Sequence, residues 1–135
     1  MKKRIVLPFL LLSMAYLISG CKKSSDDVIP DELVITVTSP TEGTTYVGSI
    51  TMSFSIASTK GLDSCYLSLI IPSSASTIYL NSFNVGADVR NKKTFSYSAS
   101  QTVLPSTLTD AQCIIRAVDL NNKSVTKTIN VKIKQ

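Results

Sequence analysis

The 135-residue chain contains no histidine and no tryptophan. Without histidine it can form neither a His-based catalytic triad nor a His-ligated zinc site. It has only five glycines, and none of them belongs to a glycine-rich phosphate loop. Its carboxylates are scattered over predicted turns instead of pairing across a cleft, as glycoside hydrolysis requires. We therefore expect a protein that is not an enzyme and that holds no cofactor.

Charge and hydrophobicity exclude two further classes of protein. The formal net charge is +5, but three of the cations, Lys2, Lys3 and Arg4, head a segment that we expect to be removed. The rest of the chain has no basic patch, so nucleic acid is not an expected partner. The longest apolar run covers residues 5–18. This run is shorter than the roughly 20 residues of a membrane-spanning helix, so it is not predicted to span a membrane.

The beginning of the chain has a basic head, a short apolar body and small residues before a cut site, as secretory signal peptides do. The cut site resembles the lipobox of bacterial lipoproteins, with Ile18, Ser19 and Gly20 before the cut and Cys21 directly after it. Sulfur suits this position because it is the best side-chain nucleophile near neutral pH. The resemblance implies a signal peptide over residues 1–20, a diacylglycerol on the Cys21 sulfur and a fatty acyl chain such as palmitate on the new amino group. An ordinary signal peptide with a chance cysteine is the alternative.

Residues 21–32 are predicted to be a lipidated flexible linker, and their sequence bears on location. Lys22 stands where, in enteric lipoproteins, an aspartate retains the protein at the inner membrane, so the resemblance implies lipid anchoring at the outer membrane. Residues 22–27 also resemble the short charged signal that sends Bacteroidetes-type lipoproteins to the cell surface. A solvated linker would have the same composition, so periplasmic display is the alternative to the cell surface.

The later part of the chain shows the period-two alternation of β-strands and no helical periodicity of useful length. The clearest strand runs from Ile50 to Ile56, and Lys127 is predicted at the rim of the last strand. Residues 77–85 are predicted as a strand, although their apolar positions fit neither face. The side chains predicted to face the core are Leu33, Ile35, Val37, Ile50, Met52, Phe54, Ile56, Cys65, Leu67, Leu69, Ile71, Phe95, Tyr97, Cys113, Ile115, Ala117, Val125, Ile129, Val131 and Ile133.

Two turn segments show a further resemblance. Residues 35–43 contain an S-P-x-x-G turn, and residues 116–122 contain a turn between the last two strands, with Asn121 where a glycine is usual. Both are similar to turns in bacterial immunoglobulin-like, or cadherin-like, domains of surface lipoproteins. We therefore predict an all-β fold, a seven-stranded immunoglobulin-like β-sandwich over residues 33–135, preceded by the signal peptide and the linker. The fold by itself implies no function.

The pair Cys65 and Cys113 raises the question of a disulfide. An even number of cysteines in an oxidising compartment favours one. In an immunoglobulin-like fold, however, the third and sixth strands are antiparallel neighbours, which places Cys65 opposite Ala117 and Cys113 opposite Leu69. The two cysteines then lie about 13 Å apart along the strands, whereas a disulfide needs Cα atoms within about 7 Å. We predict two free, buried thiols.

One group of oxygen-bearing side chains has the chemistry of a calcium site. The predicted topology brings Asp63, Asp119 and the turn of Asn121 and Asn122 to one end of the sandwich, and calcium prefers oxygen ligands. The alternative is that Asp119 caps its own turn. Because the six or more oxygens that calcium needs are not evident, no metal site is predicted.

The two central strands are predicted to present an apolar outer face. By contrast, the outward residues of the strand from Ile50 to Ile56 are serine, threonine and alanine. A contiguous exposed apolar patch usually marks an interaction surface. The alternative is that residues 73–92 fold over this face, with Ile78, Leu80 or Phe83 covering it. The candidate partner-binding residues are Tyr66, Ile70, Ile114, Arg116 and Val118.

These observations favour a lipid-anchored, non-catalytic cell-envelope module that binds a protein or a glycan. The membrane is a partner through the lipid on Cys21, and a homodimer contact at the apolar face is a further alternative. The rival prediction is a structural accessory subunit or spacer of an outer-membrane assembly. No aromatic stripe of the kind that stacks on sugars is present.

Overall fold

The computed structural model describes residues 32–83, 89–102 and 105–135. The predicted signal peptide, Cys21 and the predicted linker up to residue 31 lie outside these residues. The described chain has no helix that is long and apolar enough to cross a membrane. Its eight strands are β1 (Leu33–Ser39), β2 (Thr45–Val47), β3 (Ser49–Ser58), β4 (Leu62–Ile71), β5 (Ser76–Phe83), β6 (Thr94–Thr102), β7 (Thr109–Asp119) and β8 (Ser124–Lys134).

The strands form two sheets that enclose one core. The first has three strands in the order β1-β3-β6, and the second has five in the order β2-β8-β7-β4-β5. All pairs are antiparallel except β2 with β8, which is parallel. The predicted third and sixth strands, β4 and β7, are neighbours in the middle of the second sheet. This order is that of an immunoglobulin-like sandwich, so the predicted all-β class and sandwich architecture are confirmed.

The predicted number of seven strands is wrong, because the segment after β1 contains the short extra strand β2. Its approach to β8 is fixed by the Lys132 N–H, which donates to the Thr44 carbonyl at 3.0 Å. Tyr46 is half-buried against the core, and its hydroxyl accepts a hydrogen bond from the Thr41 N–H at 2.9 Å. A strand of three residues is too short to show a period of two, so the sequence pattern could not reveal it.

Alternating side chains build the core as predicted. The four inward residues of β3, from Ile50 to Ile56, are at most 2% exposed. Ile71 and Val125 are only half-buried because they lie near strand ends, and Lys127 is exposed, in line with its predicted place at the rim. Burying a large aliphatic side chain stabilises the fold by about 1.5–3 kcal/mol. The buried apolar residues of the central strands are Leu62, Cys65, Leu67, Leu69, Ala111, Cys113, Ile115 and Ala117.

Aromatic side chains join the two sheets at the side where β5 and β6 lie. Within the three-stranded sheet, the Phe54 ring of β3 lies 5.5 Å from the ring of its cross-strand partner Tyr97, measured between centroids. The hydroxyls of Tyr79 on β5 and Tyr97 on β6 share a hydrogen bond of 2.5 Å, and the Asn81 amide donates to the Tyr79 hydroxyl. Burial, and then the bond with Tyr79, raise the pKa of Tyr97 above its usual value. The bond between Tyr79 and Tyr97 links the edge strands β5 and β6 of the two sheets.

Two turns meet at one end of the sandwich. The Leu120 N–H donates to the Gly61 carbonyl at 3.0 Å. Gly61 has a φ of +91°, and a Cβ atom there would lie 3.1 Å from Leu120 Cδ1. Both the backbone conformation and the close approach favour glycine. In the neighbouring turn, Asn122 adopts the left-handed conformation, with a φ of +62°, which asparagine tolerates better than most residues.

Candidate functional site on the five-stranded sheet

The outer face of the five-stranded sheet carries the predicted candidate residues. Tyr66 lies opposite Arg116, and Ser68 lies opposite Ile114, across the β4–β7 pair. Because cross-strand partners point to the same side of a sheet, these side chains share one face. Strand β5 adds Leu80, which lies opposite Ser68. We call the resulting surface the outer patch, and its members are Tyr66, Ile70, Leu80, Ile114, Arg116 and Val118.

The outer patch is accessible and largely apolar. Tyr66 is 36% exposed and Leu80 is 68% exposed. Arg116 is exposed, whereas Ile70, Ile114 and Val118 are half-buried. A large apolar surface of this kind is costly to leave in water unless a partner covers it.

Arg116 gives the outer patch one positive charge. Its cross-strand neighbours, Tyr66 and Thr126, are both uncharged. The two salt bridges recorded among the described residues lie elsewhere: Arg90 with Asp63 at 3.7 Å and Lys132 with Asp110 at 2.8 Å. The Arg116 guanidinium is therefore available for a carboxylate of a partner. Tyrosine and arginine are also the residue types enriched in the energetic centres of interfaces.

The outer face of the three-stranded sheet has a different character. It carries serine and threonine side chains, and the Thr51 and Ser100 hydroxyls share a hydrogen bond of 2.9 Å across β3 and β6. The one large apolar side chain exposed there in β1 is Val34, at 38%. On β3 and β6, the residues of this outer face are Thr51, Ser53, Ser55, Ala57, Thr94, Ser96, Ser98, Ser100 and Thr102.

Strand β5 does not cover the outer patch. It extends the five-stranded sheet beside β4, so this part of residues 73–92 does not fold over the face as the alternative expected. Ile78 packs against the core instead, and Leu80 adds to the exposed surface. Residues 84–88, which also belong to the segment predicted as a cover, lie outside the described residues.

The two cysteines belong to the core and not to a site. Cys65 lies opposite Ala117 and Cys113 lies opposite Leu69, as predicted from the register. Both thiols are free and buried, so the prediction of two free thiols is confirmed. Burial raises the pKa of Cys65 to about 12 and that of Cys113 to about 11. A thiol that is hard to deprotonate is a poor nucleophile and a poor metal ligand.

The two aspartates that could bind calcium, Asp119 and Asp63, make other contacts in the structure. Asp119 is fully buried, and its Oδ1 accepts hydrogen bonds of 2.9 Å from the Asn121 and Lys123 N–H groups. The carboxylate thus caps its own turn, and its Oδ2 is buried without a hydrogen-bond partner among the described residues. Asp63 faces Arg90 instead. Within residues 32–83, 89–102 and 105–135, no three carboxylate or cysteine side chains gather as a metal site would require.

Sequence reasoning missed a polar contact beside β8. The Glu42 carboxylate accepts two hydrogen bonds of 2.9 Å, one from the Asn130 N–H and one from the Asn130 side-chain amide. The Gln112 amide in turn donates to Asn130 Oδ1 at 3.0 Å. Glu42 and Asn130 are far apart in the sequence, and the short strand that brings them together was not predicted. No signal in the sequence marked this contact.

No known family model matches the sequence, and no curated protein matches it significantly. Among solved structures, the fibronectin(III)-like modules of Clostridium thermocellum CbhA match with a TM-score of 0.49 and 10% sequence identity. The match covers 78% of this chain and 48% of that chain, so this chain spans about half the length of the matched structure. The immunoglobulin-like sandwich described above follows from the strand pairing of this chain itself.

Proposed function

We propose that this protein is a lipid-anchored, non-catalytic module of a bacterial cell envelope that binds its partner through the outer patch. The observation that carries the proposal is the apolar surface around Arg116 on the central strands β4 and β7, which the described chain leaves uncovered. Soluble domains seldom expose contiguous apolar surface without a use for it. The opposite sheet, with its serine and threonine face, lacks such a surface.

A protein partner suits the outer patch better than a glycan. Tyr66 is the single aromatic side chain of the patch, whereas glycan binding usually needs several rings on which sugars stack. A protein surface that presents a carboxylate among apolar side chains would pair with Arg116 and cover Leu80 and Ile114. Such a contact combines apolar burial with a charge-assisted hydrogen bond.

The anchoring part of the proposal rests on the sequence around Cys21. Two or more acyl chains hold a protein stably on a membrane, because each buried CH₂ group contributes about 0.8 kcal/mol. The linker would let the sandwich reach a partner away from the lipid surface. We propose the outer membrane as the location, with display at the cell surface. Labelling with radioactive palmitate tests the anchor: the parent chain incorporates label and Cys21→Ser does not, and equal labelling would contradict it.

Binding at the outer patch can be tested by crosslinking in intact cells. A photoreactive amino acid replaces Ser68, which lies between Tyr66 and Ile70 on β4 and opposite Ile114. The matched control replaces Ser55, an exposed residue on the outer face of the three-stranded sheet. We expect a discrete crosslinked product from position 68 and none from position 55. Products of the same kind from both positions, or from neither, would contradict a specific partner at the outer patch and favour a passive spacer.

A further inference from the structure

The sandwich has four sheet edges, and they differ in how they are protected. An edge strand presents unpaired backbone N–H and C=O groups, so natural proteins shorten, bulge or charge their edges to prevent unwanted pairing. Strand β2 has only three residues. The register of β1 is irregular between Val37 and Ser39, and the pairing of β4 with β5 is irregular at Leu69 and Ile70. These three edges are blunted by length or irregular pairing.

Strand β6 has none of these protections. It pairs with β3 over nine consecutive residue pairs, from Ala57 with Thr94 to Ser49 with Thr102, without an irregularity. Its nine residues contain no proline and no charged side chain. Within the described residues its sole neighbour in the sheet is β3. A regularly paired, uncharged edge of this length is a template for pairing with another strand.

The hydrogen-bond pattern between β6 and β3 shows which backbone groups of β6 point to its open edge. The Ser58 N–H donates to the Lys93 carbonyl at 2.8 Å, and hydrogen-bonded positions recur at every second residue of an antiparallel pair. The odd-numbered residues of β6 therefore bond to β3, and the even-numbered ones direct their N–H and C=O groups to the open edge. The Thr102 carbonyl also accepts a hydrogen bond from the Gln101 amide at 3.1 Å. The residues that face the open edge are Thr94, Ser96, Ser98, Ser100 and Thr102.

We propose that β6 pairs with β6 of a second copy of this chain, antiparallel about a two-fold axis through Ser98. Ser98 then lies opposite Ser98 of the copy, Ser96 lies opposite Ser100, and Thr94 lies opposite Thr102. About ten backbone hydrogen bonds form, and the two three-stranded sheets join into one sheet of six strands. Such an interface is isologous and closed, so it stops at a dimer.

The strand is suited to pairing with itself. All five edge residues carry a hydroxyl, so each pair across the axis can form the kind of hydrogen bond that Thr51 and Ser100 already share. A two-fold axis places equal charges near each other, and a strand without charges avoids that repulsion. On the inner side, Tyr97 would lie opposite Ala99 and Phe95 opposite Gln101, so each ring meets a smaller or more flexible side chain. Phe95 and Tyr97 are half-buried, and the added strand would cover them further.

Disulfide crosslinking of the full chain in its membrane tests this register. Ser98→Cys places two thiols on residues whose Cα atoms lie about 5.5 Å apart across the axis, within the range that a disulfide accepts. Ser96→Cys is the matched control, because its thiol lies about four residues, or 13 Å, from its counterpart. Both side chains are exposed, and the parent chain controls for the native cysteines. Under mild oxidation we expect a band at twice the monomer mass for Ser98→Cys and none for Ser96→Cys.

Charge substitutions give an independent measurement on the same axis. Ser98→Lys places two like charges opposite each other, and Ser98→Glu does the same with the opposite sign, so each variant alone should lose the dimer. Co-expressed with different tags, the two variants should co-purify as a heterodimer. A monomeric Ser98→Cys chain, equal bands from Ser96→Cys, or a crosslinked product with the mass of another protein would each overturn the proposal. The last outcome would show that an extended segment of that other protein pairs with the edge of β6.

Discussion

The carboxylate of Glu42 binds both the backbone N–H and the side-chain amide of Asn130, which lies 88 residues away in the sequence. The same segment is held by the Gly43 N–H, which donates to the Asn130 carbonyl at 2.8 Å. Together these bonds satisfy the backbone N–H and C=O of Asn130, just before the residues of β8 that pair with β2. The Glu42 side chain therefore protects an otherwise open sheet edge.

This contact predicts how stability depends on pH. The two hydrogen bonds from Asn130 lower the pKa of Glu42 from its ordinary value of 4.5. Because the folded-state pKa is the lower one, the stabilisation is present above pH 4.5 and is lost as pH falls through the folded-state pKa. Glu42→Gln should lower the melting temperature at pH 7, and the difference from the parent should shrink below pH 4.5. Glu32→Gln removes an exposed charge of the same kind and is the control. A constant difference across this range would contradict the assignment.

The buried thiols predict a resistance to reagents. Because burial raises the pKa of Cys65 to about 12 and that of Cys113 to about 11, neither should react with a thiol reagent at pH 8 while the chain is folded. Both should react in denaturant, as counted by mass spectrometry. A peptide that links Cys65 to Cys113 without reduction would contradict the register of β4 and β7.

Substitutions of Asp119 should separate its capping role from its charge. Asp119→Ala leaves the N–H groups of Asn121 and Lys123 without their acceptor and should lower the free energy of unfolding by about 1–3 kcal/mol. Asp119→Asn keeps an oxygen for both groups and places an amide nitrogen at the position of the buried Oδ2, which has no partner in the described part of the chain. Its loss should be smaller, as measured by denaturant unfolding. Equal losses for both variants would contradict capping as the main role.

Local patterns in the sequence predicted the strands because one side of each strand faces the core and the other faces solvent, so apolar and polar residues alternate. The alternation from Ile50 to Ile56 predicted the inward face of β3, and the register of Cys65 with Ala117 followed from the expected antiparallel pairing. Period-two alternation needs several residues to be visible, so the three residues of β2 could not be predicted. The irregular pairing opposite Ile70 likewise blurred the pattern of β5.

Contacts between distant segments could not be predicted, and the candidate site shows why. The sequence identified Tyr66, Ile70, Ile114, Arg116 and Val118 as one face, because they alternate with core residues on neighbouring strands. Whether the segment around Leu80 covered that face depended on where β5 lies, and both arrangements suit its apolar residues. The structure places β5 at the edge of the sheet, so no strand of the described chain covers the outer patch, and Leu80 adds to it. The position of Glu42 against Asn130 depends in the same way on a fold already formed.

The central claim is that the outer patch is a binding surface and not a covered core. Tyr66→Ser combined with Ile114→Ser tests it when unfolding and crosslinking are measured on the same protein. We expect the free energy of unfolding to fall by only about 1–2 kcal/mol, against about 2–5 kcal/mol for Ile115→Ala in the core. We also expect the crosslinked product from position 68 to disappear, whereas Val34→Ser on the opposite sheet should leave it unchanged. A loss of stability beyond that of Ile115→Ala, with the crosslinked product intact, would contradict the claim.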